Sequence, residues 1–192
     1  MPFRRAPAGR GVFHRFLAAA ALVSLALGAS AAHATPEGAR HDNDKPRRVL
    51  AAWHGATPQP FQLNGIDNAS LSLADVRTDI VIVHFFATWC EPCRDELPSL
   101  RRLVERSDPA QLRVISISVA EPAVRVRRFI EKLPVNFPIL LDDDRAVSKS
   151  WNVSALPTTF ILDRNHNRRL FVERDYDWDQ VDARQLLGSI DR

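Results

Sequence analysis

The run Ile80-Val81-Ile82-Val83-His84-Phe85-Phe86 is apolar at every position but one and rich in β-branched and aromatic residues. Without polar alternation, such a run suits a strand buried on both faces, at the centre of a sheet rather than its edge. The period then changes. Leu97, Leu100, Leu103 and Val104 recur at helical spacing, with Arg94, Arg101, Arg102 and Arg106 on the opposite side. Pro92 fits the first turn of that helix, where its missing N–H costs nothing. Pro98 falls inside it and is expected to kink it. Between strand and helix stand both cysteines of the chain, Cys90 and Cys93.

The alternation of strand and helix patterns continues downstream. Leu112–Val119 reads as a strand and residues 121–133 as a helix with Pro122 early and Val126, Phe129, Ile130 and Leu133 on one face. A short helix follows Asp142-Asp143-Asp144, a run read as a helix start rather than a cation site. Residues 158–162 and 169–173 form a hairpin turning at Asn165-His166-Asn167, and a last helix spans about residues 178–190. Upstream, residues 61–63 and 70–73 suggest a small leading hairpin. The expected fold class is α/β: a mixed central sheet flanked by helices, with an extra N-terminal β-hairpin.

The formal charge of +3 misleads about the domain itself. Arg4, Arg5, Arg10 and Arg15 lie in residues 1–34, which hold no acid; without them 22 basic residues face 23 acidic ones. A chain near neutrality gives no electrostatic case for nucleic acid. Those arginines precede an uncharged Ala/Leu-rich run over residues 16–32, and Ala32-His33-Ala34 supplies small residues at the two positions a signal peptidase reads. Residues 1–34 are therefore expected to be a signal peptide, with an uncleaved membrane anchor as the alternative. The run is slightly short and weakly apolar for a span. Arg4-Arg5 lacks the apolar context of twin-arginine export. Export places the protein in an oxidising compartment, the periplasm. Residues 35–57 read as a polar linker, with Trp53 packing on the edge of a domain that covers residues 58–192.

Two cysteines at this spacing make a poor structural staple. Closing a four-residue loop contributes roughly 2 kcal/mol in the chain-entropy account, against about 4.7 for a hundred-residue loop. They make a good chemical pair. At a helix N-terminus, unpaired N–H groups and the dipole favour an anion, so Cys90 becomes a thiolate nucleophile. Cys93, one turn on, resolves the mixed disulfide that results. The cycle needs no cofactor beyond the Cys90–Cys93 disulfide. Zinc sites also use C-x-x-C, but they need a second pair of ligands, and His33, His41, His54 and His166 lie in the leader, the linker or a turn.

The stretches VIVHFFATWCEPCRDELPSL and SALPTTFILD together resemble the thioredoxin superfamily, specifically its TlpA/ResA-like exported thiol–disulfide oxidoreductases. The resemblance covers about residues 58–190 and implies a thioredoxin-like fold. It implies that Leu156-Pro157 matches the family's cis-proline, beside which the substrate chain pairs. It also implies that Trp89, Pro92, Leu156 and Pro157 face the substrate, and that Glu96 lies by a groove beside the active site. The neutral alternative for Glu96 is a surface acid on the first helical turns. His84 stands where thioredoxins carry a buried acid. It is read either as a proton acceptor for Cys93 or as a neutral core histidine held by hydrogen bonds. Glu91, between the cysteines, should oppose thiolate formation and make the pair more reducing. Trp89 either shields the pair from water or packs in the core. The arginines of the two helices read as solvated faces.

Departures from the family are Thr78-Asp79 in place of Gly-Lys, Asn165-His166-Asn167 in place of an Asp-Gly turn, and His84 itself. Ala87 stands where peroxiredoxin-like proteins carry threonine, which argues against a peroxidase. The expected activity is disulfide reduction in a client protein, such as apocytochrome c or a copper-site cysteine pair. By analogy a membrane donor of DsbD or CcdA type returns the electrons, and the protein is a monomer. The alternatives are a disulfide-introducing oxidase, or a soft-metal chaperone holding copper through the same cysteines and His84.

Overall fold

A computed structural model describes residues 49–57 and 59–190. The expected signal or anchor over residues 1–34 and most of the expected linker lie outside the described residues. Among those described, no helix is long and apolar enough to cross a membrane.

The centre of the molecule is β4, Ile80–Phe86, with all seven residues buried. It pairs parallel with β5, Leu112–Val119, and antiparallel with β7, Thr158–Asp163. β6, Ile139–Asp142, and β8, Arg168–Glu173, extend the sheet on either side, and β1, Ala51–Ala52, closes one edge. The order β1-β8-β7-β4-β5-β6 makes a six-stranded mixed sheet. The leading hairpin is β2, Gln62–Asn64, with β3, Ser70–Ser72, and a bridge from Gly65 to Leu140 ties it to β6.

Because side chains alternate along a strand, β4 feeds two cores. Ile80, Ile82 and Phe86 point to one side with Leu97, Leu100 and Leu103 of α1, Glu91–Arg106, and with Val126 of α2, Ala123–Lys132. Val81, Val83 and Phe85 point to the other side with Phe61, Leu73, Trp151 and Phe160. His84 therefore sits on the α1 side. Two shorter helices complete the fold: α3, Ala146–Ser150, and α4, Ala183–Ile190.

Three boundaries differ from expectation, each for a local reason. The sheet already begins at Ala51, inside the stretch read as linker. Two residues pair by backbone alone, which leaves no compositional trace, and Trp53 pins them edge-on against Phe160 and Phe171 at 5.5 and 5.3 Å. The guanidinium of Arg168 lies over Trp53, Trp151 and Phe160, a cation–π cluster inside the fold rather than a solvated arginine. α2 starts at Ala123, since Pro122 takes the cap and Glu121 turns inward. The expected last helix is broken: Asp177 caps a 3-10 turn at Trp178–Gln180, and Asp182 then accepts from the amides of Arg184 and Gln185 to start α4 afresh.

Of the three consecutive aspartates that begin with the last residue of β6, Asp142 is fully buried and accepts from the amides of Val147 and Ser148 at 3.0 and 2.8 Å, consistent with a helix start. Asp142→Ala leaves those amides without an acceptor and is expected to lower stability by about 1–2 kcal/mol in urea denaturation, with an unchanged denaturant slope.

Candidate active site

β4 ends at Phe86 and α1 begins at Glu91, so Ala87-Thr88-Trp89-Cys90 carry the chain from the sheet to the helix. Cys90 is the N-cap of α1, and the amide of Cys93 donates to its Sγ at 3.3 Å. That hydrogen bond and the adjacent open end of the helix favour negative charge on this sulfur. Cys90 and Cys93 form a disulfide, with Cα atoms 5.3 Å apart. Cys90 is 5% exposed and Cys93 fully buried, so outer and inner sulfur are already distinct. Pro92 lies in the first helical turn, and Pro98 inside the helix. Glu91 is exposed.

The Leu156–Pro157 peptide bond is cis. The carbonyl of Pro157 accepts from the amide of Arg174 at 2.6 Å, whereas the backbone of half-buried Leu156 makes no hydrogen bond among the described residues. Beside it runs an open groove of about 280 Å³, lined by Trp89, Val119, Ala120, Arg145, Val153, Ser154, Ala155 and Leu156. Trp89 is 69% exposed on the wall of this groove, which rules out the core-packing alternative.

Behind the cysteines lies a polar cluster inside the core. Glu96 is 2% exposed, so the surface-acid alternative is overturned: one turn beyond Cys93, the face that carries it is turned inward. Its Oε1 accepts a short hydrogen bond from Nε1 of Trp178. His84 is fully buried, its Nδ1 2.9 Å from Oγ1 of Thr159 and 4.0 Å from Oε1 of Glu96. Burial raises the Glu96 carboxyl to about 8, helped by the charge of Asp175 and opposed by the Trp178 hydrogen bond. Burial lowers His84 to about 3. At pH 7 the imidazole is neutral and the carboxyl mostly protonated, so their approach joins two neutral groups rather than an ion pair. The structure thus favours the neutral, hydrogen-bonded histidine over the proton acceptor, because an imidazole this depressed is a poor base. Nε2 of His84 and Oε2 of Glu96 have no partner among the described residues.

Two further residues were not singled out from the sequence. Glu121, 2% exposed, accepts from the amide and hydroxyl of Thr88 at 2.7 and 2.5 Å and from Ser118 at 3.0 Å. It anchors the link that delivers Cys90. Its signal is an acid two residues past the end of a strand and three beyond Ser118, which is also readable as a helix start. Trp178 carries no local signal at all, since its partner is 82 residues away. Among the described residues, no group of three or more His, Cys, Asp or Glu is placed to hold a metal.

The two buried groups make opposite contributions to stability. Glu96 binds its proton more tightly folded, at about 8 against an ordinary 4.5, so its contribution is full below about pH 4.5 and is lost as pH rises through 8. His84 binds more weakly folded, at about 3 against 6.5, so its contribution is full above pH 6.5 and is lost as pH falls toward 3. Glu96→Gln is expected to flatten the alkaline limb of the stability profile, and His84→Asn the acid limb. Denaturation midpoints taken across pH 3 to 9 check both; unchanged limbs refute the assignment.

The descriptions of related proteins agree with this site. A family model described as "AhpC/TSA family" matches residues 55–169. The thiol–disulfide oxidoreductase ResA of Geobacillus thermodenitrificans is 32% identical over 111 residues, 58% of this chain and 64% of that protein, so the chain spans a little under two thirds of its length. The thioredoxin-like protein YneN of Bacillus subtilis is 34% identical over 119 residues, 61% of this chain and 69% of that protein. Among solved structures, a thiol:disulfide interchange protein of the thioredoxin family from Chlorobium tepidum superposes with a TM-score of 0.60 at 22% identity, covering 75% of this chain and 99% of that one. At that identity the likeness is one of fold.

Proposed function

We propose that this chain, which belongs to the AhpC/TSA family, is a thiol–disulfide oxidoreductase that reduces disulfides in client proteins through Cys90 and Cys93. The observation that carries this reading is a disulfide at the mouth of α1, its outer sulfur, on the less buried of the two cysteines, held by a backbone N–H. The names of the relatives support it.

In the proposed cycle the reduced protein presents Cys90 as thiolate. It attacks one sulfur of a client disulfide; the S–S bond breaks, a Cys90–client disulfide forms, and the other client sulfur leaves as a thiolate that takes a proton. Cys93 then attacks Sγ of Cys90, releasing the second client thiol and closing the Cys90–Cys93 bond. Two electrons pass to the client, and no bound cofactor takes part. The client's extended chain lies along the groove between Trp89 and Leu156, pairing with the open backbone of Leu156 beside Pro157. Cys93 must lose a proton before it attacks. Glu96 accepts it, since a carboxyl near 8 is closely matched to an ordinary thiol near 8.5, whereas His84 is too weak a base.

The arginine-then-apolar pattern of residues 1–34 supports a periplasmic setting for this cycle, free or anchored to the inner membrane. No reducing buffer acts there, so a membrane donor of DsbD or CcdA type restores the dithiol. The clients are proteins with a disulfide to be opened during assembly, with cysteine pairs of apocytochrome c or of a copper site as the family-level candidates. The protein acts as a monomer.

Insulin reduction under thiol turnover is expected to be abolished by Cys90→Ser. Cys93→Ser is expected to accumulate a mixed disulfide visible on non-reducing gels, and the reverse pattern would exchange the two roles. Glu91→Gln removes a negative charge beside the outer thiolate, stabilises the dithiol form and raises the reduction potential by roughly 10–20 mV. A lowered potential refutes that sign. A wild-type potential in the strongly oxidising range would move the assignment to a disulfide-introducing oxidase.

A further inference from the structure

The segment after β8 is strapped to α1. Arg102 pairs with Asp179 through two hydrogen bonds of 2.8 and 2.6 Å, and Arg106 donates to the carbonyls of Trp178 and Val181. These outer contacts press a 3-10 turn onto the helix and drive the Trp178 ring wholly out of solvent. Tyr176 packs edge-on against that ring at 4.9 Å. A buried indole N–H needs an acceptor, and a buried carboxyl needs a donor. Trp178 Nε1 and Glu96 Oε1 meet both needs at once. One carboxyl oxygen is held and the other has no partner among the described residues. The titratable and charged groups around this carboxyl are His84 from β4, Asp175 from the strapped segment, and Cys93 one turn earlier on α1 itself.

We propose that Trp178 is a positioning residue of the thiol chemistry: its indole N–H holds the Glu96 carboxyl in place and sets the pH at which that carboxyl can take the proton of Cys93. This rests on the reading of Cys90 and Cys93 as a redox pair. An N–H donor stabilises a carboxylate more than a carboxylic acid. Burial and Asp175 act in the opposite sense. Without the donor, Glu96 stays protonated to higher pH, fewer carboxylates are available near neutrality, and resolution by Cys93 slows.

The test uses Trp178→Phe in the full chain, which keeps an aromatic ring in the core and removes the donor. Titration of the Glu96 side-chain carboxyl carbon by NMR in the oxidised protein needs no assumption about activity. Its midpoint is expected to rise by about one pH unit. In the reduced protein carrying Cys90→Ser, the ultraviolet thiolate absorbance of Cys93 is expected to follow with a displaced titration. The pH–rate profile of insulin reduction is expected to move the same way. If Trp178 merely fills space, phenylalanine leaves all three unchanged, and the inference falls. It falls equally if the carboxyl midpoint moves and the Cys93 titration does not. If both titrations move while the wild-type protein reduces no disulfide, the positioning role stands and the functional reading fails. Should Trp178→Phe not fold, Glu96→Gln carries the test, because a group that cannot titrate must remove the carboxyl-linked component of the Cys93 titration; its persistence overturns the inference.

Discussion

A strand buried on both faces cannot slip by one residue without exchanging the contents of two cores, so the point at which β4 stops is set by the whole sheet. In this protein that point is Phe86, and α1 must begin within a few residues of it. The sulfur pair inherits its position from that junction. Cys90 reaches the open amides of the helix because the sheet holds the strand end still, and Glu121 holds the link by bonding both the amide and the hydroxyl of Thr88. A carboxylate that replaces backbone partners in this way contributes rigidity where a loop would otherwise lack it.

The same junction explains why polar groups are tolerated so deep in the fold. The face of α1 that carries Cys93 also carries Glu96, and the side of β4 that supports the helix carries His84. Once helix and strand pack, neither group can reach solvent. Their neutral states lower the cost of burial, and Thr159 and Trp178 each satisfy one atom of the pair. The remaining unpaired atoms are a stability cost concentrated next to the sulfurs. Of the two groups, Glu96, at about 8, is thereby held within reach of neutral pH, while His84, at about 3, stays neutral.

Much of this was legible residue by residue. The apolar run of β4 announced a central strand, and the change of period after Cys93 announced the helix. The sequence also carried the hairpin β7–β8 and the short helix behind Asp142, because turn and cap residues act on their nearest neighbours. The partners of buried groups were not legible. Trp178 looked like the first residue of a helix, Glu121 like the start of another, and Glu96 could be read as a surface acid or as a group by the groove beside the active site. Trp89 showed the same ambiguity in reverse, since a large aromatic beside a core strand turned out to stand in solvent on a groove wall. Local pattern fixes which elements form, but a side chain's depth depends on what a distant segment brings against it.

Strand, helix and the placing of two cysteines at their junction follow from periodicity and backbone chemistry within about thirty residues, and these the sequence determined unaided. Whether Glu96 and His84 are wet or dry, charged or neutral, was decided by tertiary structure alone. Their surroundings are supplied by β7 and by the segment after β8, and the free energy of a charge is governed by everything packed around it rather than by its neighbours in the chain.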